Sequence, residues 1–145
     1  MRNVRNRNAK AKIGAAAAAA GLAVLASAPA TSSAEPAGPK VRYTLTSATD
    51  VGYDINYIVT QPPSKEAYNA DSAAYLKTER VNVGPDTPWV FETTLEDPQW
   101  GIVTASTGVH AMQAPPSPHC EIAIDDQLAV QQDGPYTAFC QLSNW

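Results

Sequence analysis

An all-β fold, a small immunoglobulin-like sandwich of about seven strands behind an N-terminal export segment, is what this sequence predicts. Three observations predict it. Short runs alternate apolar and polar residues with a period of two, as in Val41, Tyr43 and Leu45 against Arg42, Thr44 and Thr46. Clusters of Gly, Pro, Asp and Asn break these runs about every 8 to 12 residues, the spacing of sandwich strands. The chain's two cysteines, Cys120 and Cys140, both lie in this alternating part, where a staple helps a domain of modest core.

The first 34 residues read as an export signal. Arg2, Arg5, Arg7, Lys10 and Lys12 precede any acid, an alanine-rich apolar run follows from Ile13 to Leu25, and small residues offer cleavage after Ala30 or Ala34. A basic start, a short apolar middle and small residues before the cut form the secretory pattern. The run from Ile13 to Ala30 is 18 residues long, the lower edge of what spans a bilayer. Retention as an N-terminal anchor is therefore the alternative to cleavage. Membrane contact follows only if the segment stays.

Residues 35–145 then hold one domain, with 35–40 as a Pro/Gly/Ala spacer and 41–145 as the sandwich. Five of the chain's ten Lys and Arg leave with the leader. The remaining five face 14 Asp and Glu, a net charge of −9. Such an acidic domain repels phosphate backbones, which disfavours nucleic acid as a partner.

The elements follow in order. Val41 to Thr46 is a strand with one wet face. Asp50-Val51-Gly52 breaks it, and Tyr53, Ile55, Tyr57 and Val59 resume the alternation, with Ile58 out of phase. The two runs read as a hairpin. Gln61 to Ala74 is a long polar connection with room for a turn or two of helix. Tyr75 to Val83 is strand-like again, and Gly84-Pro85-Asp86-Thr87-Pro88 is a dense turn. Trp89, Phe91, Thr93 and Leu95 share one side of the next strand. A longer run from Trp100 to Met112 ends at Pro115, Pro116 and Pro118, since proline cannot donate to a ladder. Cys120, Ile122 and Ile124 alternate with His119, Glu121 and Asp125. After a tight turn, Leu128 and Val130 form a short strand, and Ala138, Cys140 and Leu142 share the parity of the last one.

An even cysteine count in an oxidising compartment points to a disulfide, and two cysteines allow one pairing. Closing a loop of about 20 residues contributes roughly 3 kcal/mol by chain entropy. The rival is a metal site that adds His119 or His110, but two Cys with scattered His lack structural-zinc spacing. Asp125, Asp126 and Asp133 could serve calcium with oxygen ligands. Their spacing departs from the calcium loop, and aspartate suits tight turns. No Gly-x-Ser-x-Gly nucleophile motif occurs, and Ser106 with His110 reads as a strand face rather than a catalytic pair. The expectation is a non-enzyme without cofactor or metal. Tyr43, Tyr57, Trp89, Phe91 and Trp100 fall mainly on inward parities and read as core. Tyr53, Tyr136, Phe139 and Trp145 are the candidates for a contact patch.

Four blocks resemble the MmpS family, small mycobacterial membrane proteins that assist the MmpL transporters. They are Val41-Arg42-Tyr43-Thr44-Leu45-Thr46, then Asp54-Ile55-Asn56-Tyr57, then Pro88-Trp89 entering Trp89-Val90-Phe91. The last is Cys120 to Asp126 closed by Gly134-Pro135 and Ala138-Phe139-Cys140. The resemblance implies a periplasm-facing sandwich with the cysteines bridged. It also implies a helper role in moving lipids, siderophores or drugs across the cell envelope, with a transporter or its cargo as partner. Two features differ from that family: the N-terminal run looks cleavable, and the connection from Gln61 to Ala74 is long. A freely secreted ligand- or host-binding protein is therefore the alternative expectation.

Overall fold

The structure, a computed structural model, describes residues 38–109 and 111–145. The segment 1–34 read as a leader or anchor, the spacer before Gly38, and His110 lie outside the described residues. Among the described residues the chain forms eight strands. They are β1 (Lys40–Thr46), β2 (Val51–Ile58), β3 (Leu76–Val83), β4 (Trp89–Thr94), β5 (Ile102–Ser106), β6 (His119–Ile124), β7 (Gln127–Asp133) and β8 (Thr137–Gln141). They pack as two antiparallel four-stranded sheets, in the orders β4-β1-β6-β7 and β3-β2-β5-β8. No helix among the described residues is long and apolar enough to cross a membrane.

The inward stripes follow the alternation. Val41, Tyr43 and Leu45 of β1, Tyr53, Ile55 and Tyr57 of β2, Val103 and Ala105 of β5, and Ile122 of β6 are all fully buried between the sheets. Ile58 is buried as well. It sits at the end of β2, opposite Leu76 of β3, where the chain leaves the regular alternation.

The expected hairpin of the first two strands does not form. β1 pairs with β4 and β6, while β2 pairs with β3 and β5 in the opposite sheet. Both strands bury one apolar face, and facing across a core satisfies that demand as well as lying side by side. The crossing is held by Ser47, whose buried hydroxyl has the carbonyl oxygens of Thr49 (2.7 Å) and Pro116 (3.0 Å) as alternative acceptors for its single proton and lies 2.9 Å from the Tyr53 hydroxyl. The Ala48 N–H also donates to Pro116 O, at 3.0 Å. Replacing Ser47 by Ala strands a buried phenol, so Ser47→Ala should cost about 1–3 kcal/mol. Urea denaturation tests this, and Ser47→Ala combined with Tyr53→Phe should recover part of the loss.

The run expected from Trp100 to Met112 is a strand only over β5. Thr107 leaves the ladder, donating through Oγ1 to Gly52 O at 2.9 Å and through its N–H to Tyr136 O at 3.1 Å. Gly108, Val109 and residues 111–115 are exposed, and Pro116 is buried again. The β6–β7 hairpin turns on Asp125 and Asp126, both at positive φ (48° and 65°). A two-residue turn matching strand twist needs positive φ twice, and aspartate tolerates it. Asp125 accepts from the Lys40 N–H at 2.9 Å, and Asp126 pairs with Arg42. These aspartates are turn residues, as the simpler of the two expectations had them. Gly134 makes the β7–β8 corner, where a Cβ would sit 1.8 Å from the Thr137 carbonyl oxygen, so no larger residue fits.

Cys120 on β6 and Cys140 on β8 are fully buried and bonded to each other, with Cα atoms 6.0 Å apart. Because β6 and β8 belong to different sheets, the bridge ties the two layers together. Such a bond persists in an oxidising compartment and is consistent with an exported protein.

Candidate functional site

The four aromatic residues expected to form a patch are scattered. Tyr53 is fully buried and bonded to Ser47, so it is removed from any contact surface. Gly52 precedes it, but β2 keeps its alternation and carries Tyr53 inward with Ile55. Tyr136 lines a hollow with Thr49, Asp50, Val51, Gln113 and Pro116. Phe139 lies half exposed on the outer face of β8, beside Thr104. Trp145 is half-buried at a third place.

Of the aromatics expected in the core, Tyr43 and Tyr57 are fully buried and Trp100 is 8 % exposed. Trp89 and Phe91 are half-buried, because β4 is an edge strand. They wall that side of the sandwich, with Tyr57 ring centroids 4.9 and 4.7 Å from theirs. The Tyr57 hydroxyl reaches past them and donates to Glu79 Oε1 at 2.7 Å.

Trp145 belongs to a small recess. The long connection supplies one wall. Buried Pro62 leads into Ser64, which caps the short helix α1 (Lys65–Ala70) by accepting from the Ala67 N–H at 3.1 Å. The helix presents Tyr68, whose ring meets Trp145 edge to face at 4.9 Å and 82°. Trp100 supplies the second wall, from a 3-10 turn at Pro98–Trp100. Asp97 caps this turn by accepting from the Gln99 N–H, and Pro98 starts it. Trp100 meets Trp145 at 5.4 Å and 89°.

The last residues are strapped to that turn. Leu142 N–H donates to Gly101 O, Asn144 Nδ2 to Asp97 Oδ2, Ser143 Oγ to Gln99 Oε1 and Trp145 Nε1 to Trp100 O, all within 3.0 Å. The Asp97 N–H is itself bonded to Gln61 Oε1, so connection, turn and tail form one unit. The resulting hollow is about 190 Å³ and is lined by Lys65, Tyr68, Asn69, Trp100 and Trp145. Sequence reasoning missed Tyr68 and the role of Trp100. The cap signal Ser64 followed by alanine-rich helix formers could have found the helix, but nothing in the pattern aims it at Trp145.

Of the residues considered for metal binding, His110 lies outside the described residues. The cysteines are bonded to each other. Among the described residues no group of three His, Cys, Asp or Glu is placed to hold a metal ion. His119, on the outer face of β6, lies with Nδ1 2.8 Å from Asp133 Oδ1 and Nε2 3.1 Å from Glu121 Oε1. Partial burial lowers its pKa, but hydrogen bonds and charge from Glu121 and Asp133 outweigh this and the net shift is upward. A raised folded-state pKa means that the protonated imidazole stabilises the fold. That contribution is complete below the unfolded value of about 6.5 and is lost as pH rises through the folded value. Melting temperature should therefore fall between mildly acidic and mildly alkaline pH, and His119→Gln should flatten this part of the curve. Identical profiles for parent and variant would refute the assignment.

Fold and bridge together define a disulfide-braced β-sandwich domain carrying a small aromatic recess. The chain belongs to the Rv2576c β-sandwich family: the model of the Rv2576c beta-sandwich domain matches residues 43–140. It is 40% identical over 126 residues to the uncharacterized protein Rv2576c of Mycobacterium tuberculosis, covering 86% of this chain and 80% of that one. The uncharacterized proteins MT2652 of M. tuberculosis and Mb2606c of Mycobacterium bovis match over the same 126 residues at the same 40% identity and coverage.

Proposed function

We propose that this chain is an exported, non-enzymatic binding domain that assists the passage of lipids or siderophores across the cell envelope, engaging an MmpL-type transporter or its cargo. The observation that carries the reading is the ring-walled recess of Tyr68, Trp100 and Trp145 on a scaffold whose two sheets are bonded together. A rigid frame with an aromatic hollow and polar groups at its rim suits holding part of an amphipathic molecule. The likeness of the four sequence blocks to MmpS supports the transport setting, and the basic, alanine-rich leader supports export.

Deleting the gene and measuring exported lipids and siderophores tests the reading. Reduced export that is restored by the intact gene supports it, and unchanged export sets it aside. A second reading, a freely secreted ligand- or host-binding protein, is favoured by the weak apolar character of residues 13–30. Cell fractionation with intact mass separates the two. A soluble chain starting near Thr31 or Glu35 supports free secretion, and an uncleaved chain in the membrane supports the tethered helper.

A further inference from the structure

The hollow of Tyr68, Trp100 and Trp145 has a chemistry that narrows its ligand. At about 190 Å³ it falls below the roughly 300–1,000 Å³ of sites for drug-sized molecules, so it takes one ring with its substituents. Tyr68 and Trp100 each meet the Trp145 ring edge to face, at 82° and 89°, so the aromatic lining is one packed cluster. Lys65 on the rim repels a quaternary ammonium, which would otherwise suit aromatic walls. A plain alkyl chain would leave both Lys65 and Asn69 unused. Both of these residues are exposed and line the hollow. A saturated ring with one C–H face and an edge of hydroxyls uses every part. The C–H face packs on aromatic carbon, the Lys65 ammonium donates to a hydroxyl oxygen, and the Asn69 amide both donates and accepts.

We propose that this hollow binds a single pyranose ring, presented either by a free sugar or by the headgroup of a glycolipid. The inference deepens the binding role proposed above, and rests on it for the origin of the ligand. The two fail separately: unchanged export in the deletion strain removes the transport role and leaves the hollow's chemistry standing, whereas loss of sugar binding does the reverse.

The test titrates the full, disulfide-bonded chain with methyl β-D-glucopyranoside and methyl α-D-mannopyranoside. The indole N–H signals are followed by NMR, with Trp89, outside the hollow, as internal reference. At least one glycoside should produce saturable shifts at Trp100 and Trp145 with millimolar affinity. Trp145→Ala should weaken binding about tenfold, the scale of one lost ring contact. Lys65→Ala and Asn69→Ala should each weaken it several-fold. These two exposed positions keep the test valid if Trp145→Ala does not fold. Absence of saturable shifts with both glycosides overturns the proposal. Equal shifts from cyclohexanol, insensitive to Lys65 and Asn69, overturn it as well. A second arm compares phosphatidylcholine vesicles with and without a monoglycosyl diacylglycerol. Sedimentation only with the glycolipid vesicles supports the site and assigns the ring to a lipid headgroup. Glycoside binding without sedimentation supports it and assigns a free sugar. Equal binding to both vesicles overturns sugar recognition.

Discussion

Cys120→Ser or Cys140→Ser is expected to destabilise the domain by about 2–5 kcal/mol, the range for native bridges in small secreted domains. The bridge spans 20 residues of sequence, and the chain-entropy model assigns roughly 3 kcal/mol to such a loop. Two further terms act in the same direction. Both sulfurs are fully buried, so serine places a hydroxyl where no partner is provided. The bond also links β6 to β8, and hence one sheet to the other, so the cooperative contact between layers depends on it. Denaturant unfolding of parent and variants, with and without reductant, measures the effect. Reduced parent and double variant should have similar midpoints. An unchanged midpoint in either variant, or free thiols in the parent, would defeat the claim.

Trp100→Ala should cost about 3–5 kcal/mol, as for buried aromatic truncations generally. Trp100 is 8 % exposed, belongs to the main core cluster and meets Trp145 at a right angle. Its loss leaves a cavity at the point where the connection, the 3-10 turn and the chain's last residues join. The effect should therefore be both global and local. The unfolding midpoint falls, and the Trp145 indole signal moves toward its solvent-exposed position even where the fold persists. Trp100→Phe, which keeps a ring, should recover much of the stability. A cost below about 1 kcal/mol for the alanine variant would mean that the site collapses around the gap.

These two residues also show how far the chain could be read in advance. The bridge was legible because two cysteines allow one pairing. That it runs between sheets was not, since it depends on which sheet each strand joins. Trp100 was legible as a core residue. Its second role, as a wall beside Tyr68 and Trp145, was hidden because the three rings come from positions far apart in sequence, brought together by hydrogen bonds such as Asp97 N–H to Gln61 and Asn144 to Asp97.

What the sequence by itself determined is which residues point inward. The period of two in β1, β2, β5 and β6 placed Val41, Tyr43, Leu45, Ile55, Tyr57, Val103 and Ile122 in the core, because a strand with one apolar face has one way to hide it. Only the tertiary structure decided which strands are neighbours. β1 and β2 carry the same pattern whether they lie side by side or face each other, and their pairing with other strands in separate sheets sets the second arrangement, with the Ser47 hydrogen bonds at the crossing. The fate of the partly apolar edges was decided in the same way. Tyr53 went inward and Trp89 stayed at the rim because burial at a given parity depends on whether another strand lies beyond it, and that is a property of sheet order alone.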